Sequence, residues 1–424
     1  MRSLGMRQQG FRSKSAFAVA AWGAYLGRFA KTKPSAALAQ SESQALLVPT
    51  RLCLDSLVGP NISSPRITAM GAGVRHALIA FNTCERTHTT QLLGVGLNRC
   101  QQLGRMATNT TIVPLVTTVS GKVAQVACGR EHSALLVESP DGSTHVAVCG
   151  SNAFGQLGLD TTPGHSACRH SSVPQSSAVS KVAALDGVLE SGESIVKVQC
   201  GLDHTIVLSS RGRAFAMGWA ADGQLGAGLE SKATTCNWPV PVSGLDGVML
   251  TDISASTDFA LALTADNRLY YWGNAEYGQC MTGAKIDQVL TPLQVPFGLG
   301  RIAGIAAGGC HALVLTDDGR VYSCGYGALG LGPATVATLQ PTQIDGLGDI
   351  QAIYSSTDRS LAVDSQRRMY TWGLGNSAGR LGNGSVGENV YRPELLDTSF
   401  SPADTLMVAL GNDMALVAAA VSDT

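Results

Sequence analysis

The chain has 424 residues, of which 14% are charged and 45% apolar, with 49 glycines and a formal net charge of −1. That length suits one large or two ordinary domains, and the balance of charge excludes a global basic field of the kind that binds nucleic acid. Eleven cysteines without a C-x-x-C pair argue against a disulfide framework or zinc site and for a reducing compartment, and no apolar run reaches the roughly 18 residues of a membrane span.

From Met1 to Gln40 there is no Asp or Glu, while Arg2, Arg7, Arg12, Lys14, Arg28, Lys31 and Lys33 are basic. That is the composition of a mitochondrial transit segment. A secretory signal competes, because "AFAVAAWGAYLG" from Ala16 is apolar and "ALA" precedes Gln40, but the basic residues at 28, 31 and 33 interrupt its cleavage region. Residues 1–15 are read as the targeting segment and 16–424 as one folded unit.

Along that unit one slot recurs: a glycine, two variable residues, a histidine and an apolar run. It appears as Gly73 with His76, Gly129 with His132, Gly201 with His204, and Gly308 with His311. Three further copies are degenerate: Ser256 with Phe259, Ser356 with Arg359, and Gly411 with Met414. The seven copies are spaced about 56 residues apart on average, with one longer interval that holds an insertion at about 161–187. A second motif alternates with the first: an apolar residue, Gly, a short polar stretch and often Gly-Gln-Leu-Gly, as in "CGSNAFGQLG" from Cys149 and "MGWAADGQLG" from Met217. Between the motifs, "SSRGRAFAMG" (209–218) and "TDDGRVYSCG" (316–325) carry hairpin signals.

Each repeat thus holds about four short strands. A sheet of that size buries its faces only by stacking on neighbours around an axis, which gives an all-β, seven-bladed β-propeller. The repeat is longer than the 40–45 residues of a WD-type blade, and no Trp-Asp dipeptide occurs. The chain finishes on the seventh slot, and Trp22-Gly23 supplies a seventh copy of the second motif. The N-terminal strand is therefore expected to pair with the C-terminal strands and close the ring.

The recurring glycines fit turns that need positive φ or close backbone approach. The histidines at 76, 132, 204 and 311 are read as structural, tying adjacent strands by hydrogen bonds. The residue before the histidine position is acidic in five copies: Glu131, Asp203, Asp258, Asp358 and Asp413, with Arg75 and Cys310 in the other two. Two readings stay open. Each acid caps its own turn, or the five form an acidic collar on one face for a basic partner.

Seven repeats with C-G-x-x-H, D-G-x-V-Y-x-W-G and G-x-N-x-x-G-Q-L-G resemble the regulator of chromosome condensation family, over about residues 16–420. The stretches "VGLNRCQQLG", "GWAADGQLGAG", "WGNAEYGQC" and "GYGALGLGP" look closer to its mitochondrial branch. The resemblance implies guanine nucleotide exchange on small or dynamin-like GTPases, and for that branch inner-membrane fusion GTPases, ribosomal RNA binding and mitoribosome assembly. It also implies that the collar acids lie on the face that meets the GTPase. The insertion is a candidate for the wedge hairpin of the nuclear member, though its Ser-rich composition reads equally as a flexible loop.

"GYGALG" (325–330) and "GNSAG" (375–379) match nucleotide-binding and nucleophile-elbow patterns, but both fill repeat loops without the required strand–helix context. Asn61, Asn109 and Asn383 begin glycosylation sequons, which matter only for a secreted chain. No Walker-type loop occurs and no nucleophile, base and orienting group converge. The expectation is a monomeric, non-catalytic binding platform without metal or cofactor, in the mitochondrial matrix or on the matrix face of the inner membrane. Its partner would be a mitochondrial GTPase; the alternative is an assembly factor for ribosomal RNA or respiratory-complex subunits.

Overall fold

A computed structural model describes residues 16–23, 46–51, 66–82, 88–105, 115–159, 176–228, 234–398 and 406–421. The described residues form 28 strands in seven four-stranded antiparallel sheets. Blade one is β3 (Arg66–Ala72), β4 (His76–Asn82), β5 (Thr89–Gly96) and β6 (Leu115–Ser120). Blade two is β7 (Lys122–Cys128), β8 (His132–Glu138), β9 (Thr144–Gly150) and β10 (Ser176–Lys181). Blades three to six follow as β11–β14 (195–241), β15–β18 (250–295), β19–β22 (302–343) and β23–β26 (350–395). The seventh sheet takes strands from both ends of the chain, in the order β2 (Leu46–Arg51), β1 (Ala16–Gly23), β28 (Met414–Val421), β27 (Leu406–Leu410). Pairing of β1 with β28 is antiparallel, from Ala16 opposite Val421 to Gly23 opposite Met414.

The first strand of each blade lines an axial channel of about 900 Å³. The second strand is sandwiched between neighbouring blades, which explains continuous apolar runs such as His204–Ser209, buried at every position. Five of the outer strands carry prolines: Pro49 in β2, Pro239 and Pro241 in β14, Pro292 in β18, Pro341 in β22 and Pro393 in β26. Proline removes a ladder donor, so these edges are poor templates for pairing with another sheet.

The two sequence motifs are cross-strand partners. His76 lies opposite Gly96, His132 opposite Gly150, His204 opposite Gly218 and His311 opposite Gly325. A Cβ on Gly150 or Gly218 would sit 2.4 Å from the carbonyl oxygen of Glu131 or Asp203, and both glycines have φ above +100°, so no other residue is accommodated. The slot glycine is excluded from growing by the imidazole itself: a Cβ on Gly201 would meet the His204 ring at 1.9 Å.

The histidines join neighbouring blades rather than adjacent strands of one blade. The hydroxyl of Ser133 donates to the Gln102 carbonyl (2.8 Å) and takes a bond from His76 Nε2 (2.9 Å). Thr205 repeats this one blade on, with the Gln156 carbonyl (2.8 Å) and His132 Nε2 (3.0 Å). His311 Nε2 meets Ser360 Oγ at 2.8 Å. In the degenerate copies the next blade offers Ala312, Ala77 or Ala415, and the slot holds Phe259, Met414 or Arg359. Arg359, fully buried, reaches the carbonyls of Gly411 (Nε, 2.9 Å), Met414 and Arg380, bolting blade six to blade seven.

His204 is the exception. Its next blade presents Ala260, and neither ring nitrogen finds a partner. Ala260→Ser should restore the missing hydroxyl and raise stability by about 1 kcal/mol, read as a higher melting temperature; the same change at Ala312, which faces Phe259, should not.

Residues 176–187 of the insertion belong to blade two. Ser176–Lys181 is its outer strand and Ala183–Gly187 a single 3-10 turn that buries Ala184 and Leu185 against Phe215 and Met217. That corrects the flexible-loop and wedge readings for this half. Residues 160–175 lie outside the described residues, as do residues 1–15 and the sequons at Asn61 and Asn109. Among the described residues no helix is long and apolar enough to cross a membrane, and no group of His, Cys, Asp and Glu is placed to hold a metal ion.

Candidate partner-binding face

Each slot turn, between the first and second strands of a blade, shares one rim of the ring with the loop after the third strand. The carbonyl of the residue before the histidine position accepts from the first loop residue in six blades: Arg75 from Leu97, Glu131 from Ser151, Asp203 from Trp219, Asp258 from Asn274, Cys310 from Tyr326 and Asp358 from Leu374, all at 2.8–2.9 Å. The Gly-Gln-Leu-Gly glutamine then folds the loop. The side-chain oxygens of Gln156, Gln224 and Gln279 each accept a backbone N–H two residues back at 2.9 Å. The turns also bond around the axis, Arg130 N to Leu202 O (2.9 Å) and Leu202 N to Thr257 O (3.0 Å). The collar side chains therefore stand on a hydrogen-bonded ring of rigid turns.

The carboxylates bond chiefly to other blades and to the rim loops, although Asp413 also accepts from Asn412 Nδ2 (3.0 Å) within its own turn. Asp203 pairs with Arg130 (2.7 Å) of the preceding blade. Asp413 faces Arg75 (3.7 Å) and accepts from Asn376 Nδ2 (3.0 Å). Asp358 meets Arg380 at 3.5 Å, and Glu131 accepts from the Cys100 thiol at 3.3 Å. Among the described residues Asp258 has only Gln224 Nε2, at 3.4 Å. Burial, then the charges of Asp222 and Asp203, push its carboxyl up to about 6. Asp203 is also raised, by burial above all, with Arg130 opposing and Glu131 adding. Negative charge on this rim is thus largely compensated in blades one, six and seven, and least so around Asp258.

Burial also lowers the histidines, His76 and His311 to about 4 and His132 and His204 to about 3. They are neutral at physiological pH and enclosed, which suits blade packing. The eight described cysteines are free thiols, with Cys128 pushed up to about 12 by burial and so unreactive.

Sequence reasoning placed the five acids but missed their arginine partners and the loop contributions, Asp222, Glu276 and two exposed tyrosines, Tyr277 and Tyr326. The fourth loop position, just before Gly223 or Gly278, is where a repeat-by-repeat alignment would have found Asp222 and Tyr277.

A profile of the regulator of chromosome condensation (RCC1) repeat matches residues 91–136, 145–208, 211–263 and 266–315, half of the chain. The chain belongs to that family. A second profile of the same repeat matches 195–224, 250–279 and 302–330. Among curated proteins, the mouse RCC1-like G exchanging factor-like protein is 30% identical over 86% of this chain and 77% of its own length. The Arabidopsis thaliana ultraviolet-B receptor UVR8 is 26% identical over 78% of this chain and 73% of its own. Among solved structures, human WBSCR16 superposes with a TM-score of 0.78 at 27% identity, covering 96% of this chain and all of that one. Family membership accounts for the paired motifs; the compensated and uncompensated sectors of the collar are features of this chain's own residues.

Proposed function

We propose that this propeller is a non-catalytic regulator of a mitochondrial GTPase that promotes release of its guanine nucleotide. The observation that carries the reading is the collar sector around Asp203, Asp222 and Asp258. Carboxyls are crowded there on rigid turns with too few cations, and a basic surface relieves their repulsion. Exchange requires only that the propeller bind the nucleotide-free GTPase more tightly than the loaded one, so no covalent chemistry is needed. The name of the 30%-identical mouse relative supports exchange, and the basic, acid-free N-terminal residues support the compartment.

Reversing Asp203 and Asp258 to Lys should abolish stimulated release of a fluorescent GDP analogue from the GTPase captured out of isolated mitochondria. Melting of the variant serves as the folding control, and unchanged release rates would remove the collar from the mechanism. Capture that is lost on nuclease treatment and brings ribosomal subunits instead would favour the assembly-factor alternative. The Asp258 carboxyl adds a pH signature. A cationic partner favours its ionised form, so affinity should rise with pH through about 6, and Asp258→Asn should flatten that rise.

A further inference from the structure

On the same rim, between blades four and five, two aromatic side chains stand open to solvent. Tyr277 is 43% exposed and Tyr326 51%, with ring centroids 6.0 Å apart and planes tilted by 34°. Neither is on a loose loop. Tyr277 N is held by Gln279 Oε1 at 2.9 Å, and Tyr326 N by the Cys310 carbonyl at 2.8 Å. The equivalent junction between blades two and three holds Phe154 against Trp219, centroids 5.0 Å apart and edge to face, both half-buried, with the indole N–H on Asp222 (3.2 Å). One junction is closed on itself; the other presents its rings.

The surroundings of the open pair are acidic. Cys310 stands where other blades have a collar acid, and its thiol is pushed up to about 11 by burial and then by Asp358, Asp258 and Glu276. The arginines bonded to the collar serve other members: Arg130 serves Asp203, Arg75 serves Asp413 and Arg380 serves Asp358. Exposed aromatic faces beside carboxylates suit one side-chain chemistry, a flat cation that stacks on a ring while donating to an acid. That is a guanidinium more than an ammonium, whose compact, strongly hydrated charge gains less from a ring face.

We propose that Tyr277 and Tyr326 are the seat for an arginine of the protein partner, stacked on the phenol rings with Glu276 and Asp258 as its counter-charges. This rests on the reading of the rim as the partner-binding face. The test uses the full chain and two fluorescein-labelled nonapeptides, one with three arginines and one with lysines at the same places, followed by anisotropy at low salt. The wild-type chain should prefer the arginine peptide by about fivefold. Tyr277→Ala with Tyr326→Ala should abolish the preference, leaving lysine-peptide affinity within about twofold, and the paired Tyr→Phe changes should keep it. Equal affinity of wild type for the two peptides, or an alanine variant that keeps the preference, overturns the seat. If the preference depends on the tyrosines while Asp203 and Asp258 reversal leaves nucleotide release unchanged, the seat stands and the collar's part in exchange fails. If reversal abolishes release but the tyrosines do not matter, exchange stands and the seat fails.

Discussion

Removal of residues 1–23 should leave a chain that no longer melts as a cooperative unit, whereas a cut after residue 15 keeps all of β1. Val19, Ala20, Ala21 and Trp22 are at most 2% exposed. Val19 and Ala21 pack with Ile67, Ala77 and Ile79 of blade one, and Trp22 with Leu361, Val363 and Met369 of blade six. One strand therefore seals both neighbours of the seventh blade. The Trp22 indole also donates to the Arg380 carbonyl at 3.0 Å, as Trp272 donates to Gln224 O (3.1 Å) at the matching position of blade four. Trp22→Ala alone should cost about 3–5 kcal/mol, a large share of the roughly 5–15 kcal/mol that holds a typical domain. Losing the whole strand exceeds that margin. Thermal unfolding followed by far-ultraviolet circular dichroism decides it: a deletion of residues 1–23 that melts within a few degrees of the full chain would show that the seventh blade does not need β1. Any cut beyond residue 15 would remove part of this strand.

Stability should also fall steeply in mild acid, because four imidazoles are buried neutral. His76 and His311 stand near 4 and His132 and His204 near 3 in the fold, against 6.5 for an exposed histidine. Between about pH 6.5 and those values the unfolded chain binds more protons than the folded one. The stabilisation is therefore whole above 6.5 and is lost as pH falls toward 3–4. At pH 5 four groups act together, which sets a slope on the order of 5 kcal/mol per pH unit. Asp258, raised to about 6, and Asp203, also raised, work in the opposite sense but are two groups against four. Urea midpoints from pH 7 to 4.5 test this. His132→Gln should lower stability at pH 7, by about 1–3 kcal/mol for the disturbed buried pairing, and reduce the acid slope by one proton. A slope unchanged by that substitution would place the acid sensitivity elsewhere.

The propeller was legible because its constraints are local and repeated. A glycine opposite each histidine is dictated by backbone contact within one hairpin, so it is written at fixed spacing in every blade. The sector structure of the collar was not legible, because it depends on which blade stands next to which. Arg130 reaches an aspartate one blade on, Arg75 closes onto the last blade, and Cys310 breaks the acid series beside two tyrosines that come from different repeats. The histidines show both cases. Their structural role followed from recurrence, but the bond across blades depends on a hydroxyl one position into the next blade's second strand, Ser133, Thr205 or Ser360. A reading of single motifs passes over that residue.

The shared seventh blade also sets an order of events during synthesis. Among the described strands β1 leaves the ribosome first, yet its hydrogen-bonding partner β28 is made last. Blades one to six each draw on a contiguous stretch of chain and can form as they emerge, while β1, an apolar eight-residue segment, can pair early with β2 but waits with its other edge unpaired. Such a strand is a template for wrong pairing, and its docking spans nearly the full contour of the chain, the slowest class of contact to form. Ring closure is therefore the final and most vulnerable step of folding, and holding β1 apart until the C-terminal strands arrive is the task this architecture hands to a chaperone.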